Sequence, residues 1–453
     1  MASKVFIGAG AGFACDRTDA AGPVADTLAS LPGARFLIFE TLAERTLAQS
    51  QLDRRRDAAR GYNPALERFV GPVLARCLRD GIKIIGNFGA ANPSAAAARI
   101  QAMAHAQGLR APRIGVVDGD DLTALLSPAE LAARETGGAV LRNATEIIAA
   151  NLYLGAEPIA QALDQGADIV VTGRVADSAL ALGPLIHAFG WKLDDWGRLA
   201  AGTLAGHLLE CGSQITGGYF ADPPFKTVSG MADLGYPIAE IDPDGGMVIT
   251  KPAATGGRVD RFTVIEQLLY EIHDPSAYLA PDVVLDITDV TVEEVAPDRV
   301  RVTGARGKPA PKATVCVDGG VLGEAEISYA GPNAAARARL AAQTIGERMN
   351  RRAPGLVFRV DAVGVVSVLG DAGGALARPW ACDPGDVRLR FAAQSKIAAE
   401  VELLLDEVEA LYCAGPAGGA GVRKRLTPRL ASASCLIERK YALPRVTLTG
   451  GSP

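Results

Sequence analysis

ADIVVTGRVADSA, residues 167–179, is an apolar run that stops abruptly at Arg174 and Asp177. Three earlier runs repeat the plan: KVFIGAGAGF (4–13) leads into Asp16 and Arg17, RFLIF (35–39) ends at Glu40, and IKIIG (82–86) ends at Asn87. A fifth, RIGVV (113–117), ends in Asp118, Asp120 and Asp121. Short apolar runs bounded by polar clusters read as strands covered on both faces. Helical stretches separate them, as parallel strands with crossover helices require. TLAERTLAQSQLDRRR (41–56) opens on Thr41 with Glu44 three residues later, a capping-box spacing. NPALERFVGPVLARCLRDG (63–81) and NPSAAAARIQAMAHAQG (92–108) each start at Asn-Pro and stop at Gly. Residues 157–166 and 177–190 complete the set of helices, and Asp177 is either the cap of the last one or an acid/base. The expected first domain, residues 1–225, is an α/β unit with a Rossmann-like, mostly parallel sheet and helices on both faces. Ligands bind such sheets at the carboxyl ends of the strands, so the polar ends are expected to meet in space.

Beyond this unit the pattern changes. Residues 226–310 are rich in Gly, Pro and Asp and read as connecting structure over the crevice, with a helix at 263–272 and strands at 247–251 and 282–294. Residues 311–453 read as an α+β domain. Strand 312–331, helix 333–352, strands 356–367 and 386–393, helix 395–413 and a final strand within 433–449 give the ferredoxin-like βαββαβ order. GPAGGAGVRKR (415–425) reads as a flexible surface loop, with anion contact as the alternative.

The bulk numbers narrow the function classes. A net charge of −5 gives no global basic footprint for nucleic acid. No apolar run reaches membrane-spanning length. The seven cysteines stand singly, with no CxxC pair, so neither a disulfide framework nor a structural zinc site is expected. Cytoplasmic residence is the default for such a chain.

Among the motifs, GHLLECGSQITGGYFADP (206–223) is the densest. If HLLEC is helical, His207, Glu210 and Cys211 share one face at i, i+3 and i+4. His207 then serves as proton partner to Glu210 or to Cys211, with Glu210 as acid/base favoured over Cys211 as nucleophile. Gln214, Thr216 and the Gly217–Gly218 pair suit a ligand oxygen, the glycines by letting backbone N–H groups come close. Arg174 and Lys251 are candidate cations for a carboxylate or phosphate. Asp16, Arg17 and Asn87 complete the expected substrate contacts. GAGAGF (8–13) departs from the dinucleotide spacing G-x-G-x-x-G, because its third glycine comes one residue early. Nucleotide binding, a backbone-lined turn for an anion or acyl group, and a plain tight turn all remain open there. Asp118, Asp120 and Asp121 with Glu40 offer oxygen ligands for magnesium, against the simpler reading that Asp120 or Asp121 caps a helix.

Together the run GAGF-x-x-D-R (10–17), NFGAANP (87–93), VVDGDDL (116–122), GHLLECGSQITGGYF, KPAATGGRV (251–259), EQLLYEIHDP (266–275), PDVVLD (281–286), ALYCAGPAGGAG (410–421) and SCLIERKYALPRV (434–446) resemble the acyclic terpene utilisation protein A (AtuA-like) family along essentially the whole chain. The resemblance implies an enzyme of branched acyl-CoA or hydroxy-acid metabolism, with a CoA thioester as substrate and no resident cofactor. A hydratase/dehydratase-type lyase is the expected chemistry, with Glu210, His207 and Asp177 moving protons, backbone amides of Gly217 and Gly218 holding the enolate oxygen, and Arg174 and Lys251 binding an anion. Relatives often carry an extra C-terminal domain, so a small partner subunit is expected to supply it; a homo-oligomer is the default assembly. NFGAANP lacks the second glycine after Asn that relatives show, which points to a changed substrate. The alternatives are a non-catalytic acyl-CoA-binding subunit and an NAD(P)-dependent oxidoreductase.

Overall fold

A computed structural model describes residues 2–136, 141, 147–310, 317–368, 370–371, 380, 385–431 and 433–451. Cys316 and Cys382, and the start of the strand expected at 312–331, lie outside them. The chain forms two compact units, Met1–Val317 with Ser432–Pro453, and Asp318–Ala431.

Five strands form the parallel centre of the first unit: β1 (Val5–Gly12), β2 (Ala34–Glu40), β3 (Lys83–Gly86), β4 (Ile114–Asp118) and β5 (Ile169–Thr172). Their order across the sheet is β1-β2-β3-β5-β4, and every neighbouring pair is parallel. Helices α1 (Ala21–Ser30), α2 (Glu44–Arg56), α3 (Leu66–Asp80), α4 (Pro93–Ala106), α5 (Glu157–Asp164), α6 (Ala179–Phe189) and α7 (Trp196–Glu210) connect them and follow them. Side chains alternate along a strand, so the sheet feeds two cores. Phe6, Leu37, Phe39, Ile84 and Val171 pack with α1, α3 and α4. Ile7, Ile38, Ile85 and Val170 pack with α5, α6 and α7. Burial on both faces is why these strands read as continuous apolar runs.

This layout fixes the crevice. The chain leaves β1, β2 and β3 towards the face of α1, α3 and α4, but leaves β4 and β5 towards the face of α5 and α6. β3 and β5 are neighbours, so the connections part between them. A switch point of this kind leaves an open crevice at the carboxyl ends. Asn87 follows β3 and Arg174 follows β5, one on each side of it.

The opposite, amino ends of the strands are tied by one carboxylate. Asp168 accepts from Arg110 Nη1 (2.6 Å), Arg113 N (3.0 Å) and Lys83 Nζ (3.1 Å), and so clamps β3, β4 and β5. Desolvation works against this carboxylate, but the Arg110 and Arg113 hydrogen bonds and the Lys83 charge prevail and hold its pKa at about 2. A depressed carboxylate pKa contributes stability above its unfolded value of about 4, and that contribution is lost as the pH falls through about 2. Asp168→Asn is therefore expected to melt earlier than the parent at neutral pH, with the gap closing as the pH falls from about 4 to about 2. Thermal melts across that window check it; a gap independent of pH would contradict it.

Residues 226–310 do not simply bridge two domains. β6 (Ile238–Ile241) pairs antiparallel with β1, and β7 (Met247–Thr250), β8 (Thr291–Ala296) and β9 (Arg299–Thr303) extend the same sheet in the order β8-β9-β7-β6-β1. The expected helix is α8 (Arg261–Leu269), and the strand expected at 282–294 is broken into Val284–Asp286 and β8. These outer strands are short, and the exposed β8 at the sheet edge gives little apolar signal.

The second unit contains β10 (Val317–Ala330), α9 (Ala334–Arg352), β11 (Phe358–Val363), β12 (Asp386–Ser395), α10 (Ala398–Ala414) and β13 (Ala420–Ala431), with strand order β11-β12-β10-β13. Its βαββαβ order agrees with expectation, but the fourth strand does not. Residues 420–425, expected in a flexible surface loop at 415–425, instead open β13. The strand expected within 433–449 is β14 (Arg445–Thr449), which returns to the first unit and pairs antiparallel with β4. The first sheet thereby has ten strands among the described residues.

Candidate functional site

Three groups of side chains gather at the carboxyl ends of β2, β3 and β5 and the last turn of α7. The first is centred on Asn87. Its Oδ1 accepts from Thr41 N (2.7 Å) and its Nδ2 donates to Glu40 Oε1 (2.8 Å), which also accepts from Leu42 N (2.8 Å). Asn87 is thus a buried strut that aims Glu40. Thr41 and Glu44 do not form the expected capping box; α2 starts at Glu44 itself, and Thr46 caps Ala43 N.

The second group surrounds Arg174, which is 3% exposed. Its Nη1 donates to Leu42 O and to Asp177 Oδ1 (3.0 Å), its Nη2 lies 3.7 Å from Glu44, and its guanidinium covers the Tyr153 ring at 3.9 Å. The Tyr153 hydroxyl donates to Glu44 Oε1. Asp177 makes no capping bond to α6; its partner is Arg174. Asp120 fixes the backbone beneath, accepting from Arg174 N (3.0 Å) and Asn151 Nδ2 (2.7 Å).

The third group is the expected helical one. His207 Nδ1 lies 2.9 Å from Glu210 Oε1, and its Nε2 faces Leu268 O at 3.3 Å. A carbonyl only accepts, so Nε2 carries a hydrogen. His207 is 1% exposed, and Tyr278 lies against its ring with centroids 5.5 Å apart. The imidazole is therefore enclosed, with both ring nitrogens engaged. Glu210 Oε2 is buried and has no hydrogen-bond partner. His207→Leu should lower the melting temperature by leaving Glu210 Oε1 without its imidazole partner as well; a thermal melt checks it.

Gly12 brings these groups together. It pairs with Glu40 across the β1–β2 ladder, while its backbone lies against Glu210, Cys211 and Gly212. The electrostatics agree. Desolvation raises the Glu40 pKa, and Glu210 adds to the rise against the Asn87 and Leu42 hydrogen bonds and Arg174. Asp177 moves well above the usual carboxylate range, through desolvation first, with Glu40, Glu210 and Glu44 overriding Arg174. Its side chain is 33% exposed and that of Glu44 39%, so these two are the exposed members of the cluster. Glu44 moves down: desolvation is outweighed by Arg174 and the Tyr153 hydroxyl. His207 moves up: burial is outweighed by its bond to Glu210. Carboxylates driven in opposite directions within one cluster are a pattern shared by acid/base sites and structural ion-pair networks.

Several expected contacts have other partners. The Gly217 and Gly218 amides donate to Gln214 O (3.0 Å) and Ser213 O (2.8 Å), so they are not available as an oxyanion hole. Thr216 Oγ1 donates to Gly235 O (2.6 Å). Lys251 Nζ donates to Thr255 O (3.0 Å) and pairs with Asp298 (3.3 Å), bracing the 251–258 turn. Asp16 accepts from Gly12 N (2.8 Å) and from Tyr236, and Arg17 pairs with Asp19. Gln214 bonds the Tyr270 hydroxyl. Burial and then Glu210 push the Cys211 thiol up, which is the wrong direction for a nucleophile. The three glycines of GAGAGF lie inside β1, and α1 starts only at Ala21, so no glycine turn opens a helix as a dinucleotide fingerprint requires. Asp118 pairs with Arg445, Asp120 with Arg174 N and Asn151, and Asp121 with Thr123. Among the described residues no three His, Cys, Asp or Glu converge on a metal position. Glu44, Tyr153, Gln267 and Tyr278 were not expected in the site; of these only Glu44 stood beside a recognised strand end.

A cavity of about 270 Å³, lined by Leu152, Tyr153, Leu154, Leu199 and the carboxylates Glu157 and Asp282, shares Tyr153 with the cluster. No helix among the described residues is long and apolar enough to cross a membrane. The family model described as Acyclic terpene utilisation family protein AtuA matches residues 5–448. Comparison with curated proteins and with solved structures gives no significant match.

Proposed function

Because this chain belongs to the acyclic terpene utilisation family AtuA, we propose that it is an enzyme of branched acyl or hydroxy-acid metabolism working as a hydratase/dehydratase-type lyase. One observation carries the reading: Glu210 Oε2 is buried and unpartnered in a cluster with Glu40 and Asp177. In the dehydrating direction Glu210 Oε2 takes the proton from the carbon next to the carbonyl. Asp177, whose pKa desolvation and its acidic neighbours raise, gives its proton to the departing hydroxyl, which leaves as water as the C=C bond forms. Hydration reverses each transfer. Arg174 holds Asp177 and Glu44 in place, and His207 holds Glu210. The leucines of the cavity beside Tyr153 offer an apolar wall for a branched hydrocarbon tail.

The strand order β11-β12-β10-β13 supports reading the second unit as ferredoxin-like, and the parallel centre with helices on both faces supports a doubly wound α/β reading of the first. The test is solvent-deuterium incorporation. The protein is incubated in D2O with a branched α,β-unsaturated acyl thioester, and the product is followed by mass spectrometry. Mass gain of one water with deuterium at the α-carbon is the expected result. Unchanged thioesters across a panel of branched chains would remove the lyase reading.

A further inference from the structure

We infer that this chain pairs with a second copy of itself through the outward face of α8 and the loop at 219–226, in a contact of like surfaces about a two-fold axis. The inference stands apart from the proposed reaction.

It starts from α8, a helix of nine residues. One side of it, Thr263, Val264, Gln267 and Leu268, is buried. The other side of an ordinary surface helix is polar. Here Phe262, Ile265 and Leu269 recur at i, i+3 and i+7 on that side, and they line one groove with Phe225 and Tyr270. The Tyr219 ring meets Tyr270 edge-on, with centroids 6.3 Å apart. Phe225 is 86% exposed, Tyr219 75%, Phe262 56% and Leu269 52%. Four bulky side chains exposed to that extent present roughly 500 Å², at the upper end for the largest apolar patch of a monomer. A stable interface covers about 800 Å² on each partner, so the patch supplies more than half of one side.

The rim identifies the partner. Lys226 Nζ pairs with Glu266 (2.6 Å), and Arg258 pairs with Asp260. Arg261 and Asp222, both exposed, add one charge of each sign. Opposite charges therefore balance around the groove, which selects neither a polyanion nor a basic surface. A second copy meets both conditions, because it brings the same apolar centre and the same mixed rim in reverse. With the axis beside Ile265, Phe262 of one copy lies against Leu269 of the other, since the two stand on either side of Ile265 along the helix. The buried side of α8 supports the acidic cluster: Leu268 O accepts from His207 Nε2, and Gln267 Nε2 donates to His207 O. Pairing thus holds α8 between the second copy and the cluster.

The experiment is sedimentation velocity on the full chain, with the parent and two variants, Leu269→Lys on α8 and Phe225→Asp on the loop. Circular dichroism confirms that each is folded, and the two lie on different elements, so either carries the test alone. The expected parent mass is twice the 46.9 kDa of one chain. Each variant should fall to the single-chain mass, because a charge then enters an apolar contact without a partner. Leu340→Lys, at an exposed position of α9, should leave the parent mass unchanged. The parent's Tm should also rise with protein concentration, and the variants' should not. A larger assembly that both variants halve supports the contact equally. A parent that sediments as one chain overturns the inference, and binding to vesicles of anionic lipid would then assign the patch to a membrane surface. An assembly that neither variant breaks, or that Leu340→Lys breaks as well, overturns it too.

Discussion

Glu210→Gln should lower kcat by about 10²–10⁴-fold while leaving the fold and its melting temperature close to the parent's. The rate loss follows from the chemistry, since a positioned general base contributes a factor of that size. The intact fold follows from the geometry. In the parent, His207 Nε2 is committed to Leu268 O, and Nδ1 meets Glu210 Oε1. A glutamine is nearly the same shape, and its amide can donate to an unprotonated Nδ1. The variant therefore keeps the hydrogen bond to Nδ1 while replacing the carboxyl group. Glu210→Ala makes the contrast: it leaves Nδ1 without its acceptor in a site 1% exposed, and should destabilise by about 1–3 kcal/mol. Activity retained in Glu210→Gln would remove Glu210 from the mechanism, whereas loss of activity with a collapsed melting temperature would make it a structural residue.

The sequence made the site legible where chemistry coincides with a strand end or a helical period. Arg174 and Asn87 stand immediately after buried apolar runs, and Glu40 ends one, so their convergence follows from parallel topology alone. His207 and Glu210 meet because i and i+3 share a helix face. What stayed hidden depends on long-range contacts. Tyr153 meets Glu44 across 109 positions and Arg174 through its ring face, and no spacing announces either contact. The Gly217–Gly218 pair looked like an open donor site, because a sequence does not show that the two amides close onto their own turn. The fold failed to be legible for a related reason. The outer strands β8 and β9 are covered less than the centre and lack long apolar runs, and β13 begins among glycines. Their pairing partners supply the order that their own residues do not advertise.

Gly12→Ala is expected to destabilise the first unit by about 3 kcal/mol or more. Gly12 is the last residue of β1 and needs no unusual backbone angle there; what it needs is space. A Cβ at this position would lie 2.2 Å from Gly212 N, 2.3 Å from the Cys211 carbonyl carbon and 2.7 Å from Glu210 O. All three are backbone atoms, so no side chain can turn aside to relieve the clash. Neither side is free to retreat. Gly12 N–H is held by Asp16 Oδ2 at 2.8 Å, and Gly212 adopts φ +54 with the Tyr236 ring against it. An alanine must therefore lift the end of α7 away from β1, and that movement carries Glu210 away from Glu40. Gly22→Ala is the control, because its Cβ meets nothing within 4 Å and lies in α1, where alanine is favoured by about 1 kcal/mol over glycine. Chemical denaturation of both variants reads the difference. Comparable stabilities would mean that β1 and the end of α7 do not touch, and the carboxylates at their ends would then not form one site. Where Gly12→Ala still folds at low temperature, its turnover should fall further than its remaining folded fraction accounts for, since the same displacement that costs stability separates the acid from the base.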